Sequence, residues 1–572
     1  MSSSHPVLEE VTTPYKDQKP GTSGLRKKVA VFKEKNYLMN FVQSLFNAIP
    51  ESDYVGQTLL VSGDGRYWCR EAVHIIAEVA AGNGVARLWV GKNGWVSTPA
   101  GSAIIREREG GICTGGLLLT ASHNPGGPTE DFGVKYNCAN GGPAPEHVTD
   151  AIYEESLKVT TIKRVTLTPV DLSKLGPVQC TDKFTIEVID PVEDWLRKMK
   201  TIFDFDLLRS LVKRSDFRFV YDGLNGIAGP YAKAIFVQEL GCNADEVLRQ
   251  CEPLEDFGGH HPDPNLTYAK RLVDEMKVDE MKVGGSTPVP DTGAGPVVPD
   301  FGAAGDGDND RNMILGKRWF VTPSDSVAII AHYAQRAIPY FSNGLKGVAR
   351  SMPTSEALLQ VAKKLGVEQY EVPTGWKFFG NLMDADRCSI CGEESFGTGS
   401  DHIREKDGLW AVLCWMSILA FRAKQDGKLI SVQQINEEFW SEYGRNFYVR
   451  YDYENMATED AAGLMNHLAC LDVLQYNAEL GTNLTKADIF TYHDLVDGSV
   501  TKNQGARIFY EDGSRFVVRL SGTGSSGATV RMYFEQFSKD YLNNNMQSFI
   551  DKALLIARVK EFLKTDVPTV KT

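Results

Sequence analysis

Three stretches of the chain share one hydrophobic pattern. Each has a short run of aliphatic and β-branched residues, then a glycine or turn cluster, then apolar positions at helical spacing. The first is Thr58-Leu-Leu-Val61, followed by Ser62-Gly-Asp-Gly-Arg66 and an amphipathic stretch that stops at Gly82 and Gly84. The second is Phe217-Arg-Phe-Val-Tyr221, then Asp222-Gly-Leu-Asn-Gly226, then Tyr231 to Val237. The third is Gly347-Val-Ala-Arg350, then Met352-Pro-Thr-Ser355, then Glu356 to Leu365, with Thr354 or Ser355 expected to cap the helix. Strands alternating with helices at this spacing predict α/β units. Their recurrence at intervals of about 130 to 160 residues predicts related domains. From about Leu429 the pattern changes. Alternating strands such as Arg515-Phe-Val-Val-Arg519 and Thr529-Val-Arg-Met-Tyr533 mix with helical stretches and predict a separate, smaller C-terminal α+β domain.

Length agrees with that count: 572 residues correspond to four domains at roughly 150 residues each. An apolar share of 42% can fill several cores, which excludes a disordered or fibrous chain. With 61 basic against 74 acidic residues the net charge is −13, which argues against nucleic acid as a partner. The ten cysteines are scattered, and the lone Cys388-Ser-Ile-Cys391 pair is weak evidence for zinc or redox chemistry. The longest apolar run, Leu409 to Phe421, is too short for a span needing about 20 residues. No signal peptide is evident, so a cytoplasmic location is expected. A tandem duplication, Val273-Asp-Glu-Met-Lys277 and Val278-Asp-Glu-Met-Lys282, runs into a Gly- and Pro-rich stretch from Gly284 to Pro299. It predicts a solvent-exposed inserted loop.

Five motifs carry chemistry, the last of them weakly. Thr120-Ala-Ser-His-Asn-Pro-Gly-Gly127 places Ser122 at the end of the apolar strand Leu117-Leu-Leu119, in a turn fixed by Pro125 and Gly126, with His123 beside it as a base or donor. A serine hydrolase would show G-x-S-x-G, and Ala121 and Asn124 do not fit. Asp306-Gly-Asp-Asn-Asp310 offers three carboxylates to one hard cation. Arg311 and Lys317 at the sixth and twelfth positions exclude an EF-hand, and Arg311 suits a phosphate shared with magnesium. Arg519-Leu-Ser-Gly-Thr-Gly-Ser-Ser-Gly527 contains G-x-G-x-x-G, but a strand is expected after it, which excludes dinucleotide binding. Ser521, Thr523, free backbone N–H groups, Arg519 and Arg531 remain as a phosphate nest. Cys391-Gly-Glu-Glu-Ser-Phe-Gly397 is a glycine-bounded loop suited to sugar hydroxyls, and Gly21-Thr-Ser-Gly-Leu-Arg26 is a weaker anion loop.

This set, from Gly21–Arg26 to Arg519–Gly524, resembles the α-D-phosphohexomutases, specifically the eukaryotic phosphoglucomutases. The resemblance implies a heart-shaped molecule of three related α/β domains with mixed sheets, at 1–200, 201–322 and 323–425, and an α+β domain at 426–572. The duplicated stretch would be an insertion near 278–299. Ser122 would carry the phosphoryl group and join Asp306, Asp308 and Asp310 around one magnesium ion per chain. Lys406, His123 and Lys135 match positions near the reacting hydroxyl. Arg26, Asp310, Arg311, Thr374, Glu393, Ser395 and Lys406 would contact the sugar phosphate, and Arg519, Ser521, Gly522, Thr523 and Arg531 the distal phosphate. The implied reaction is interconversion of glucose 1-phosphate and glucose 6-phosphate, with glucose 1,6-bisphosphate as intermediate and activator. The implied protein is a monomer or dimer. Resemblance to a ciliate form implies an alternative, a phosphoprotein with a scaffold role in secretion that associates peripherally with secretory membranes.

Overall fold

The protein is described by a computed structural model over residues 6–21, 23–282, 297–524, 527–542 and 546–572. In the first domain the run at 58 becomes the strand Thr58–Gly63. It is buried on both faces, with Leu59 and Val61 in one core and Leu60 in the other, as a parallel strand between two helix layers requires. Its sheet of seven strands runs Leu25–Lys28, Asp131–Cys138, Cys113–Leu119, Thr58–Gly63, Arg87–Gly91, Phe184–Ile189, Gly176–Thr181. The four central strands are parallel and both margins antiparallel.

The second and third domains repeat this plan in shorter form. In the second, Leu248–Arg249, Phe219–Asp222 and Phe301–Gly305 are parallel, and Asn312–Gly316 and Trp319–Val321 continue the sheet antiparallel. In the third, Gln369–Val372, Val348–Ser351 and Ile390–Gly392 are parallel and Thr398–Ser400 closes antiparallel. One apolar core runs continuously through all three domains. It includes the helix Gly408–Asp426, buried along nearly its whole length. Among the described residues no helix is long and apolar enough to cross a membrane.

In each of the three sheets, the connection from the last parallel strand to its antiparallel neighbour carries one of the chemical motifs. These connections are 120–130, 306–311 and 393–397. Topologically equivalent loops therefore bring Ser122, the aspartate triad and Glu393 to corresponding ends of three sheets.

The last domain is an antiparallel sheet of six strands, Leu484–Ile489, Ala506–Tyr510, Arg515–Gly524, Gly527–Ser538, Arg445–Met456 and Val570–Lys571. Phe516, Val518, Val530, Met532 and Phe534 point into its own helices, whereas Val517 and Tyr533 pack against Met352, Val372 and Trp376 of the third domain. As the sequence pattern predicted, a strand follows the glycine-rich loop.

The duplicated segment departs from the expected exposed loop. Lys270–Glu275 is helical, and the apolar spacing of Leu272, Val273 and Met276 buries all three, together with Val278 of the second copy. Both copies thus contribute to a small core beside the strand Phe301–Gly305. The remainder of the expected insertion, 283–296, lies outside the described residues.

Candidate active site

Each of the three equivalent loops turns at a non-glycine residue in the left-handed region: Ser122 at φ 53°, Asn309 at φ 63° and Phe396 at φ 69°. Such conformations persist where the surroundings over-determine them. For Ser122 the surroundings come from the turn cluster Ser62-Gly-Asp-Gly-Arg66. Asp64 and Arg66 form an ion pair of 2.9 Å with both side chains fully buried. Asp64 accepts from the Thr120 hydroxyl at 2.6 Å, and Thr120 accepts from the Ser122 N–H at 2.8 Å. Arg66 donates to the Ser122 carbonyl at 2.9 Å and to the Asp131 carbonyl at 2.8 Å. A buried pair tied to both ends of a loop was legible only as S-G-D-G-R after a strand.

The Ser122 hydroxyl donates to Asp306 Oδ2 at 2.9 Å. This approach needs a glycine at 307, where a Cβ would stand 2.6 Å from the Ser122 carbonyl oxygen. The other oxygen of Asp306 accepts the N–H groups of Asp310 and Arg311 at 2.9 and 3.0 Å. Asp308 accepts from the Thr98 hydroxyl at 2.6 Å, and Asp310 lies 3.1 Å from Lys406 Nζ. The three carboxylates can present oxygens within 4.8 Å of one another. Burial, then the neighbouring Asp308 and Asp310, pushes Asp306 well above the usual carboxylate range. Burial would raise Asp308 too, but Lys135, Thr98, Lys406 and Arg26 together hold it low. Asp308 Oδ1 and Asp310 Oδ1 are buried without any hydrogen-bond partner. Clustered, dry carboxylate oxygens with no donor fit a hard divalent cation.

The third loop joins the second directly. Arg311 and Gly397 form a backbone bridge, and the Asn312 N–H donates to the Phe396 carbonyl at 2.9 Å. At Gly397 a Cβ would lie 2.4 Å from the Lys406 side chain, so the loop closes on that lysine only because residue 397 is glycine. Glu393 is buried, its carboxyl raised by that burial, and it accepts the Gly375 N–H at 3.3 Å. This draws the neighbouring Thr374 turn into the site, with Thr374 Oγ1 buried and unpartnered. Asp407, the next residue after Lys406, caps the helix Gly408–Asp426 and accepts from Trp195 Nε1 at 2.8 Å, fixing the lysine's backbone. Burial alone would lower Lys406, but Asp310 and Glu393 raise it, so it is a fixed cation. Lys135 is bound to Glu405 at 2.8 Å.

His123 Nδ1 lies 3.4 Å from the Ser122 hydroxyl. Burial, then Arg311, Arg26, Lys406 and Arg531, drives its pKa well below 6.5, so the ring is neutral. No carboxylate orients it among the described residues, which argues against a hydrolase triad. Arg26 Nε and Arg311 Nε are buried without hydrogen-bond partners. These donors face the same ring of charge as Asp306, Asp308 and Asp310.

The distal residues form a second group. Arg519 and Arg531 are paired across adjacent strands, with Ser521 and Gly522 at the strand end. Arg519 donates to the Gln504 carbonyl at 3.3 Å, and Arg531 lies 3.5 Å from Asp452. Arg450 of the same sheet approaches Glu394 at 3.4 Å, so this group meets the sugar loop. Ser395 is half-buried at that meeting point. The Thr523 side chain, and residues 525–526, lie outside the described residues.

Comparison with known proteins matches these units one by one. Profiles for "Phosphoglucomutase/phosphomannomutase, alpha/beta/alpha" domains I, II and III match residues 17–163, 193–319 and 322–443. A profile for the "Phosphoglucomutase-1, C-terminal domain" matches 445–569. The chain is 56% identical to "Probable phosphoglucomutase, cytoplasmic 1" of Arabidopsis thaliana over 589 residues, covering 98% of each. It is 54% identical to "Phosphoglucomutase, cytoplasmic" of Populus tremula, again with 98% of each covered. Among solved structures, the open form of the exocytosis-sensitive phosphoprotein parafusin, a phosphoglucomutase from Paramecium, superposes with a TM-score of 0.90 at 47% identity, covering 99% of each chain. Members of this family generally use Mg2+, which agrees with the buried aspartate triad. Four profiles in order along one chain, and relatives that share more than half its positions end to end, place it in the phosphoglucomutase/phosphomannomutase family, among the eukaryotic phosphoglucomutases.

Proposed function

We propose that the protein interconverts glucose 1-phosphate and glucose 6-phosphate, an isomerase reaction that proceeds by way of phosphorylated Ser122. The observation that carries this reading is the convergence of three equivalent loops. One brings a hydroxyl, one a carboxylate triad with two unpartnered oxygens, and one a buried glutamate beside a fixed lysine. Asp306, Asp308 and Asp310 would hold one magnesium ion, with Ser122 as its neighbour. Bound there, the ion would neutralise charge on the transferring phosphoryl group.

The chain's own residues account for the remaining requirements. Arg311 and Arg26 offer buried donors to phosphate oxygens, while Lys406 adds a fixed positive charge. In the transfer the Ser122 Oγ–P bond breaks and a sugar O–P bond forms. The departing hydroxyl proton needs a base, and neutral His123 can take it, whereas Lys406 is held protonated. Lys135 would act from behind its pair with Glu405. Glu393, Ser395 and Thr374 would bind hydroxyls, and Arg519, Ser521, Gly522, Thr523 and Arg531 the phosphate that is not reacting. The resulting glucose 1,6-bisphosphate would then reverse and return its other phosphoryl group to Ser122. The same compound supplied from outside would phosphorylate a dephosphorylated enzyme.

Identity above half along the whole chain supports the mutase over a scaffold, since a scaffold has no use for a buried, cross-braced Ser122. The relatives named above are called cytoplasmic, which supports that compartment here. A coupled assay of glucose 1-phosphate conversion with added and with chelated magnesium tests the reading. Magnesium-dependent formation of glucose 6-phosphate is expected, and no formation under either condition would refute it.

A further inference from the structure

Beyond the charged site, the last domain holds the backbone turn at 353–356 of the third domain at three points. Tyr448 Oη donates to the Pro353 carbonyl at 2.6 Å, Arg515 Nη2 to the Thr354 carbonyl at 2.5 Å, and the Glu356 N–H to Glu535 Oε1 at 2.6 Å. Arg515 is 1% exposed and spends its whole guanidinium here, with Glu535 at 2.7 Å and Glu371 of the third domain at 3.2 Å. Of the two residues expected to cap the following helix, Ser355 accepts the Ala357 N–H at 3.4 Å, and Thr354 is used elsewhere. Its hydroxyl pairs with Ser351 and accepts the N–H of Glu394, in the middle of the sugar loop, at 2.9 Å. Arg515 also lies on the same strand as Arg519 and, two residues apart along it, on the same face as Val517 and Arg519. One buried arginine thus stands between two separately built elements. On one side a single residue, Thr354, links it to the loop at 393–397 through its carbonyl and its hydroxyl, and on the other the strand from Arg515 to Arg519 links it to the distal phosphate group.

We infer that Arg515 is a positioning residue for phosphoryl transfer, setting the separation between the sugar loop and the distal phosphate nest. A planar fork with fixed donor directions suits that task, because it holds a carbonyl and two carboxylates in one geometry. Lysine keeps the charge and loses the fork. The inference rests on the mutase reading, which discharge of wild-type phosphoserine to glucose 1-phosphate would test by itself.

The test compares two acceptors of the phosphoryl group on Ser122. Glucose 1-phosphate needs both loops in register, whereas water needs neither. Arg515→Lys is expected to slow discharge to glucose 1-phosphate about tenfold or more, since small misplacements of reacting groups cost at least that. The KM for glucose 1-phosphate should rise and the rate of discharge to water stay at the wild-type value. Tyr448→Phe, which removes one hydroxyl and leaves the buried charges intact, should shift the same ratio in the same direction by less. It decides the matter if Arg515→Lys does not fold. An unchanged ratio of the two rates, whether both fall together or neither falls, overturns the inference and leaves the mutase reading standing.

Discussion

The loops of the first three domains and the phosphate nest proposed in the fourth would bind the same kind of group, yet they are built differently. Ser122, the aspartate triad and Glu393 of the three loops are buried, and the loops are braced from other domains. Thr98 reaches Asp308, Arg311 bridges to Gly397, Lys406 reaches Asp310, and Lys135 is held by Glu405. The nest residues Arg519, Ser521 and Arg531 are half-exposed, and Arg519 and Arg531 are held from within their own domain. The difference follows from the two tasks. A phosphoryl group in transit needs charge fixed in advance in a dry setting. A phosphate that is released and rebound in the opposite orientation needs donors it can leave.

Substitutions should separate the two regions, and the largest effect belongs to the braced one. Ser122→Ala removes the acceptor oxygen and should lower turnover by several orders of magnitude with an unchanged melting temperature, measured by coupled assay and calorimetry. Asp308→Asn leaves the triad one charge short, at a cost on the order of several kcal/mol in charge stabilisation. A magnesium titration of its residual activity should show a raised requirement. In the half-exposed region, Arg519→Ala loses one charge-assisted pair, worth roughly 1.5 to 3 kcal/mol, or about 10- to 150-fold in kcat/KM. Steady-state kinetics should show that loss with more bisphosphate escaping, and the magnesium requirement should stay as in wild type.

The smallest effect concerns pH. The folded pKa of His123 lies below the ordinary 6.5 because burial and four nearby cations disfavour its charged form. As pH falls through 6.5, unfolded chains take up this proton and folded chains do not. The neutral base therefore survives in the native enzyme while native stability declines slightly. The kcat/KM profile should show no inflection near 6.5 assignable to this ring. His123→Gln should lower the rate without adding one.

Much of this site was legible because its chemistry sits in short runs. Ser122, the spacing of Asp306, Asp308 and Asp310, and the strand after Gly522–Gly527 are local patterns. The three strand–turn–helix repeats were also visible, since period-2 and helical spacings are read residue by residue. What the pattern concealed was support across long separations. Asp64 and Arg66 gain meaning only when their strand lies beside Cys113–Leu119. Thr98 reaches Asp308 across more than two hundred positions. Thr354 resembled a cap, and only the approach of Glu394 and Arg515 turns it into a brace. The duplication at 273–282 reads as part of an exposed loop, but its spacing turns Val273, Met276 and Val278 inward.

The central claim is that Ser122 passes a phosphoryl group to the sugar and not to water. Enzyme treated with isotopically labelled glucose 1,6-bisphosphate, freed of small molecules and mapped by peptide mass spectrometry should carry one label, on Ser122. Adding glucose 1-phosphate should then move the label into glucose 1,6-bisphosphate far faster than inorganic phosphate appears. Label on another residue, or label released as inorganic phosphate at a rate indifferent to the sugar, would contradict the account.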